Sequence, residues 1–362
     1  MYQQQPAPRS SSKALKGCGC ALAVAALAAL AILALWWFVF RDRGPQPPPA
    51  SGGDLRVVVL DVEQGDSILI ISPSGKAALV DAGNPGYGAR VLDALRRHNV
   101  SQIDLFITTH AHADHIGAAD EVIRGATVRR VLDSKVPNAT RNYEDFLRAI
   151  EEKGVEYVGA EPGQKYEDLG DGVVFTVLSP IQPLFTKEQV RSGGNEPNAN
   201  SVVVRLDYGE FSMLLTGDAE AQTEERMIRQ GANVKAKVLK VGHHGSPHAT
   251  SDSFLKEGAF AAAVISCGAK NLYGHPDQRV LDRLRAANVK VFRTDLHGEV
   301  TITTRGEGYE IKPEREAKGD VWAGREAKKR DTASSGFIDY GDFGPPPKPK
   351  PTPRAKGAAG GR

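Results

Sequence analysis

Apolar positions along this chain fall into three regimes. From Gly17 to Phe40 there is no charged residue, and the run closes on Trp36, Trp37 and Phe38 before Arg41. As a helix it would extend about 36 Å, enough to cross a bilayer with some tilt. Between residues 54 and 312 the apolar runs are short and β-branched: Leu55–Leu60, Ser67–Ile71, Ala77–Val80, Ile103–Thr108, Val173–Leu178, Ser201–Leu206, Phe211–Leu215, Val238–Val241 and Ala262–Ile265. These read as strands. Helical periodicity recurs over Tyr87–His98, Tyr143–Lys153, Ala219–Gln230 and Pro276–Ala287. The first three strands are joined by short turns, one at Ser74-Gly75, which predicts an antiparallel meander. The later part alternates strand and helix. The pattern predicts a mixed α/β fold of packed sheets with outer helices.

The flanks differ in kind. Residues 1–16 are polar and carry Arg9, Lys13 and Lys16 without an acid. They predict a cytoplasmic N-terminus ahead of an uncleaved anchor at 17–40, because a cleaved signal has a shorter apolar stretch and a small-residue exit. Residues 41–53 hold a Pro/Gly spacer (GPQPPPASGG). Pro313 onward, with PPPKPKPTPR and a Gly/Ala end, predicts a disordered tail over 313–362. The folded unit is thus expected at 54–312, on the far side of the cell membrane.

Composition narrows the function. The 362 residues hold 46 Lys+Arg against 44 Asp+Glu, a net charge of +2, which argues against nucleic-acid binding by bulk charge. Three cysteines, two of them in the apolar run, exclude a disulfide-stapled scaffold and a Cys-rich zinc module.

The chemistry gathers where apolar strands end. Leu79-Val80-Asp81, Ile107-Thr108-Thr109-His110, Leu215-Thr216-Gly217-Asp218 and Val241-Gly242-His243-His244 each place a carboxylate or imidazole after a buried run. His110-Ala111-His112-Ala113-Asp114-His115 is the densest cluster. In an extended segment His110 and His112 share a side and can hold one cation. Asp114 and His115 can turn to a second. A closed structural zinc is the weaker alternative, since such sites are usually thiol-rich.

These residues, with DVEQGDS (61–67), DAG (81–83), THAHADHIG (109–117), NANSVVV (198–204), LLTGD (214–218), LKVGHHGS (239–246), YGHP (273–276) and RTDLHGEV (293–300), resemble the metallo-β-lactamase superfamily, and within it the domain found in ComEC-type DNA-uptake proteins. The resemblance implies a four-layer αββα sandwich and two divalent metal ions, zinc or manganese. His110 and His112 would bind the first. Asp114, His115 and one of the His243/His244 pair, preferably His244, would bind the second, and Asp218 would bridge them. Asp81 would orient a ligand histidine. No histidine lies between His115 and Asp218, so Asn198, Asn200 or Ser201 would complete the first site with an oxygen or a water. Glu63 stands where the ComEC-type pattern usually has glycine.

The implied mechanism is attack by a cation-bound hydroxide, with Asp114 or Asp218 taking a proton. His243 would face the substrate, and His275 would polarise a phosphoryl oxygen or protonate the leaving group. Gln64, Asp66 and Ser67 are candidates for the cleft edge, and Lys240, Lys270 and Arg293 for phosphate contacts. SGGN (192–195) reads as a flexible loop. Three functions are consistent with these residues. The first is a membrane-tethered phosphodiesterase or nuclease, with single-stranded DNA among its substrates. The second is a hydrolase of another ester, phosphocholine-type or lactone, and the third a non-catalytic binding protein. One membrane helix cannot form a DNA channel, and no obligate protein partner is indicated. Alkaline phosphatase fused to the C-terminus is expected to be active in a bacterial host; a silent fusion would reverse the assigned orientation.

Overall fold

Ile68–Ile71 and Ala77–Val80 lack any polar position and are buried along their whole length, because both faces of their sheet are covered. The structure, a computed structural model, describes residues 53–191 and 196–326. The expected membrane span at 17–40, most of the spacer, SGGN (192–195) and the tail beyond 326 lie outside the described residues. Among those described, no helix is long and apolar enough to cross a membrane.

Two sheets carry the fold. The first has eight strands, in the order Tyr309–Pro313, Val300–Thr304, Leu55–Val59, Ile68–Ile71, Ala77–Val80, Leu105–Thr108, Arg130–Asp133 and Glu156–Gly159. The second has seven: Lys290–Arg293, Ala262–Ile265, Val238–Lys240, Phe211–Leu215, Val203–Tyr208, Val173–Ser179 and Lys165–Tyr166. Each sheet is antiparallel at one side and parallel at the other. In the first, pairing turns parallel from Ala77–Val80 onward. In the second it is parallel from Phe211–Leu215 to Lys290–Arg293.

Alternation along the strands builds the layers. Val57, Ile70 and Ile107 of the first sheet share an inner core with Val204, Met213 and Val264 of the second. Their neighbours Val58, Leu69 and Phe106 face outward onto Val91, Leu95 and Phe146 of two helices, Gly88–Arg97 and Arg141–Lys153. On the second sheet, Leu214, Leu239 and Ala263 meet Met227, Phe254 and Leu281 of helices Ala221–Arg229, Asp252–Gly258 and Gln278–Ala286. Helix, sheet, sheet, helix is the expected sandwich, and the opening meander is present as read.

Two expectations change. The run 103–108 is broken at Asp104, and Gln102–Ile103 pairs separately with Thr127–Val128. Disorder was expected from Pro313, yet Pro313 closes a strand and the segment to 326 packs on the domain. Trp322 lies against the outer core of the second sheet, with the Arg285 guanidinium 4.7 Å over its ring. Arg325 Nε donates to Asp295 Oδ2 at 2.9 Å. Asp295 also takes two bonds from Arg293, whose remaining nitrogen donates to the carbonyls of Val321 and Ala323. A low-complexity window hides these anchors among lysines and prolines.

Burial opposes ionisation of Asp295, but Arg293 and Arg325 outweigh it and hold the carboxyl below its usual value. Asp295→Ala would strand the buried Arg293 charge, so a loss of about 3–5 kcal/mol is expected in urea denaturation. Because the folded value is depressed, the pair's contribution is complete above ~3.9, the unfolded carboxylate value, and fades as pH falls through the folded one. The gap between parent and variant should therefore narrow in acid.

Candidate metal centre

Strand direction places the chemistry. The parallel strands of both sheets end at one rim, where side chains beyond the carboxyl ends of strands converge. Ala77–Val80 leads into Asp81, Leu105–Thr108 into His110, Phe211–Leu215 into Asp218, and Val238–Lys240 into His243 and His244. His112 then ends the extended segment at φ −88°, ψ 152°, and Ala113–Ile116 turns into a short helix that carries Asp114 and His115 inward.

Close backbone approach holds these turns together. Gly217 has φ +50°, and a Cβ there would lie 2.7 Å from the Cβ of Thr109, so only glycine lets the 216–218 turn meet the histidine segment. Gly65 is similarly placed, since a Cβ would fall 2.3 Å from the Asp114 carbonyl oxygen. Asp81, His243 and His244 also sit at positive φ, of 56°, 49° and 53°. For non-glycine residues that conformation costs roughly 1–3 kcal/mol each, the kind of strain that collects at functional sites.

Hydrogen bonds fix the ring orientations. Thr109 donates twice to Asp81, from its N–H at 2.8 Å and its hydroxyl at 2.7 Å. The hydroxyl therefore accepts from His110 Nδ1, 3.1 Å away, which turns the His110 Nε2 lone pair inward. His115 Nδ1 donates to Asp81 Oδ2 at 2.7 Å, and His244 Nδ1 to the Ser266 carbonyl at 2.9 Å. The Nε2 atoms of His115 and His244 consequently face each other at 3.2 Å. Asp218 Oδ1 is 3.2 Å from the first and 3.4 Å from the second, yet forms no hydrogen bond of proper geometry with either. Asp114 Oδ2 completes the group, 3.3 Å from His244 Nε2.

A second group adjoins the first. His110 Nε2 lies 2.9 Å from His112 Nδ1 and 3.8 Å from Asp218 Oδ2. Asp218 thus presents one oxygen to each group. His110, His112 and Asp218 lie close enough to share one ion, and so do Asp114, His115 and His244. Inward lone pairs and an unmatched carboxylate oxygen, all buried but for half-buried His112, fit divalent cations bound by imidazole and carboxylate.

The electrostatics agree. Burial holds His110 well below the usual imidazole value, with His115 and His112 adding to it. Burial also opposes a charge on His115, but Asp218, Asp81 and Asp114 overcome it and raise its value well above normal. His244 is pushed to about 10 in the same way, burial being outweighed by Asp218, Asp114 and Asp66. His275 is held down to about 3 by burial and by His243 and His244, so its imidazole is neutral.

Gln64, His112, Asp114, Asn198, Asp218, His243, His244, Tyr273 and His275 line a cleft of about 260 Å³ over both groups. His244 lies in the buried group, whereas His243 is part-exposed on the cleft side, 3.6 Å from Asp218 Oδ2 and 5.5 Å ring to ring from His275. Of the three oxygen candidates, Asn198 reaches the cleft, with its Oδ1 buried and unpartnered. Asn200 is used up clamping Phe185 and Glu196, and Ser201 Oγ accepts from the Asp218 N–H. Asp66 and Ser67 are buried, and Asp66 sits behind His244, 3.5 Å from its Nδ1. The phosphate contacts expected of Lys240 and Arg293 do not survive. Lys240 Nζ is buried against Asp66 Oδ2 at 2.8 Å, and Arg293 is spent on Asp295 and the tail. Of the three candidates, Lys270 is the exposed one. Tyr273 was missed as a cleft residue; its place in the Tyr-Gly-His-Pro turn beside His275 was the available signal.

Residues 60–269 match the model of the Metallo-beta-lactamase superfamily. The chain belongs to the metallo-β-lactamase superfamily. Members of this superfamily are generally metal-dependent hydrolases, and the superfamily typically binds metal ions. ComE operon protein 3 of Bacillus subtilis is 32% identical over 271 residues, covering 70% of this chain and 33% of that protein. Recombination protein 2 of Haemophilus influenzae is 30% identical over 275 residues, 75% of this chain and 31% of the relative. The chain spans about a third of the length of these curated relatives. Among solved structures, Igni18, a metallo hydrolase from Ignicoccus hospitalis, aligns over 69% of this chain and 98% of its own, at 17% identity and a TM-score of 0.47.

For a superfamily member with this site, a cation should add stability. Saturating Zn²⁺ or Mn²⁺ at about a thousand times Kd corresponds to ~4 kcal/mol, or roughly 8–16 °C in melting temperature for a domain of this size. Chelation should reverse the shift, and Asp218→Asn should largely remove it. A melting curve indifferent to both ions would argue against the site.

Proposed function

We propose that this chain is a metal-dependent phosphodiesterase that cleaves DNA, single-stranded DNA in particular, from a domain tethered outside the cytoplasm by the 17–40 span. The observation that carries the reading is the paired geometry of Asp218, whose two oxygens face two adjacent imidazole groups. The relative named for recombination supports DNA as the polymer.

Two ions, Zn²⁺ or Mn²⁺, would be held by His110, His112 and Asp218 on one side and by Asp114, His115, His244 and Asp218 on the other. Bound there, divalent cations polarise a phosphoryl oxygen and make water acidic enough to ionise near neutral pH. The protein's own residues do the rest. Asp81 keeps His115 in the tautomer whose Nε2 points inward. Asp114 stands at the cleft floor, where it can take a proton from the attacking water. Asn198 offers an unpartnered amide oxygen beside the two-imidazole group, in place of a third histidine. His243, part-exposed at the mouth, faces the substrate. His275, neutral at physiological pH, donates a hydrogen bond to a phosphoryl or leaving oxygen without adding charge.

His112→Ala with Asp114→Ala removes one ligand from each group. Even partners one step removed from a metal ligand are worth 10–100-fold, so hydrolysis of a single-stranded oligonucleotide and of bis-p-nitrophenyl phosphate should fall more than ~100-fold. Circular dichroism should show the fold retained. Cleavage by the double variant at the parent's rate would overturn the mechanism. Cleavage of the small diester but not of DNA by the parent would move the function to another ester.

A further inference from the structure

Lys240 and Asp66 are both fully buried, and the chemistry proposed above uses neither. Nζ lies 2.8 Å from Oδ2, an ion pair inside the protein. Desolvating two charges offsets much of their attraction, and an apolar pair of similar volume often stabilises a fold as well. The place of this pair, between the two sheets and behind the ligands, is what sets it apart from packing.

Lys240 ends the strand Val238–Lys240 and touches both turns of the second sheet that carry site residues. Its ammonium donates to the Val241 carbonyl at 2.9 Å, just ahead of His243 and His244. Its own carbonyl accepts from the Thr216 hydroxyl at 2.8 Å, in the turn that leads to Asp218. Asp66 is tied to the first sheet in the same manner. Its N–H donates to the Asp114 carbonyl at 3.1 Å, and its carbonyl accepts from the Gly83 N–H at 2.8 Å, two residues beyond Asp81. The inner group takes Asp114 and His115 from the first sheet's loops, and His244 and Asp218 from the second's. The ion pair therefore joins the two halves of that group.

One atom of the pair is unspent. Asp66 Oδ1 is buried, forms no hydrogen bond, and lies 3.5 Å from His244 Nδ1. The proton on that nitrogen goes to the Ser266 carbonyl at 2.9 Å, so the carboxylate flanks the N–H with its charge. Ser266 is held in the same corner, its hydroxyl donating to the Gly65 carbonyl at 2.6 Å. Acceptors behind an imidazole N–H fix both the tautomer and the ring plane, and so aim the other nitrogen. Here the aimed atom is Nε2, which faces Asp114, His115 and Asp218.

We infer that Lys240 and Asp66 are a positioning pair for the inner ion, holding His244 from one sheet in register with Asp114 and His115 from the other. The inference rests on the two-ion reading of the site and is independent of which ester is cleaved. The outer group uses neither His244 nor Asp114, so its hold on an ion should change little.

The test is Zn²⁺ binding by the full-length protein, read by competition with a chromophoric chelator, beside urea denaturation of metal-free samples. In Asp66→Asn the amide oxygen stays on the Lys240 ammonium, which turns the amide nitrogen, a donor, toward the donor His244 Nδ1. Asp66→Ala with Lys240→Met removes both charges and strands neither, so it should regain most of the urea midpoint that Lys240→Met alone loses. Zinc affinity at the tighter site should nonetheless fall about 10–100-fold in Asp66→Asn and in the double variant, as for other groups one step behind a ligand. A double variant that binds Zn²⁺ as tightly as the parent would reduce the pair to a structural tie and overturn the inference. Parent-like binding by Asp66→Asn would overturn it too, and decides the matter if the double variant does not fold. A parent that binds no Zn²⁺ removes the two-ion reading, and the role of the pair with it.

Discussion

Asp66, Asp81, Asp114 and Asp218 are buried together at one rim of the sandwich, and everything about the site follows from the need to neutralise them. Buried carboxylates are stable only when paired or hydrogen-bonded. Lys240 answers Asp66, and Thr109 with His115 answers Asp81. Asp114 and Asp218 have only imidazoles, whose protonation is opposed by burial and by one another. Positive charge must come from outside or from protons held far above the usual imidazole range. The fold thus creates a demand for cations.

That demand explains the backbone as well. Two consecutive left-handed residues, His243 and His244, would be an odd choice for a loop that only had to close. Here they split the pair. His244 turns down, with its Nδ1 on the Ser266 carbonyl, while His243 stays at the mouth beside Asn198 and His275. Stability given up in the turn is exchanged for two imidazoles from adjacent residues that serve different faces of the site. Gly217 and Gly65 make the complementary concession, letting loops from the two sheets approach the histidine segment closely.

Much of this was legible from residue order. Runs without polar positions, such as Ile68–Ile71 and Ala77–Val80, announce buried strands by themselves. Arg130–Asp133 and Lys290–Arg293 did not, because charges occupy their ends and only two or three core positions remain. The histidine segment, Asp81 and Asp218 stood out because unusual residue types follow apolar strands. What order cannot convey is whether a charge is buried. Lys240 and Arg293 read as surface cations until their partners, Asp66 and Asp295, are seen beside them in space. Asn200 and Asn198 look alike as amides two residues apart, yet one is spent on a loop and the other opens on the cleft.

The two ion sites of the proposed reading are unequal by construction. Asp114, His115, His244 and one oxygen of Asp218 surround the inner position, with Asp81 and Ser266 fixing the tautomers. The outer position has His110, His112 and the other Asp218 oxygen, with Asn198 and the part-exposed His243 nearby. Fewer anionic donors make a weaker hold, and a neutral amide oxygen favours harder ions than a third imidazole would. An ion at the outer position would therefore exchange more readily than its neighbour. Since Asp218 touches both groups, loss of the outer ion would leave its second oxygen drawn toward His243, 3.6 Å away. In that reading, the residue that would join the two sites is also the route by which occupancy of one would be felt at the other.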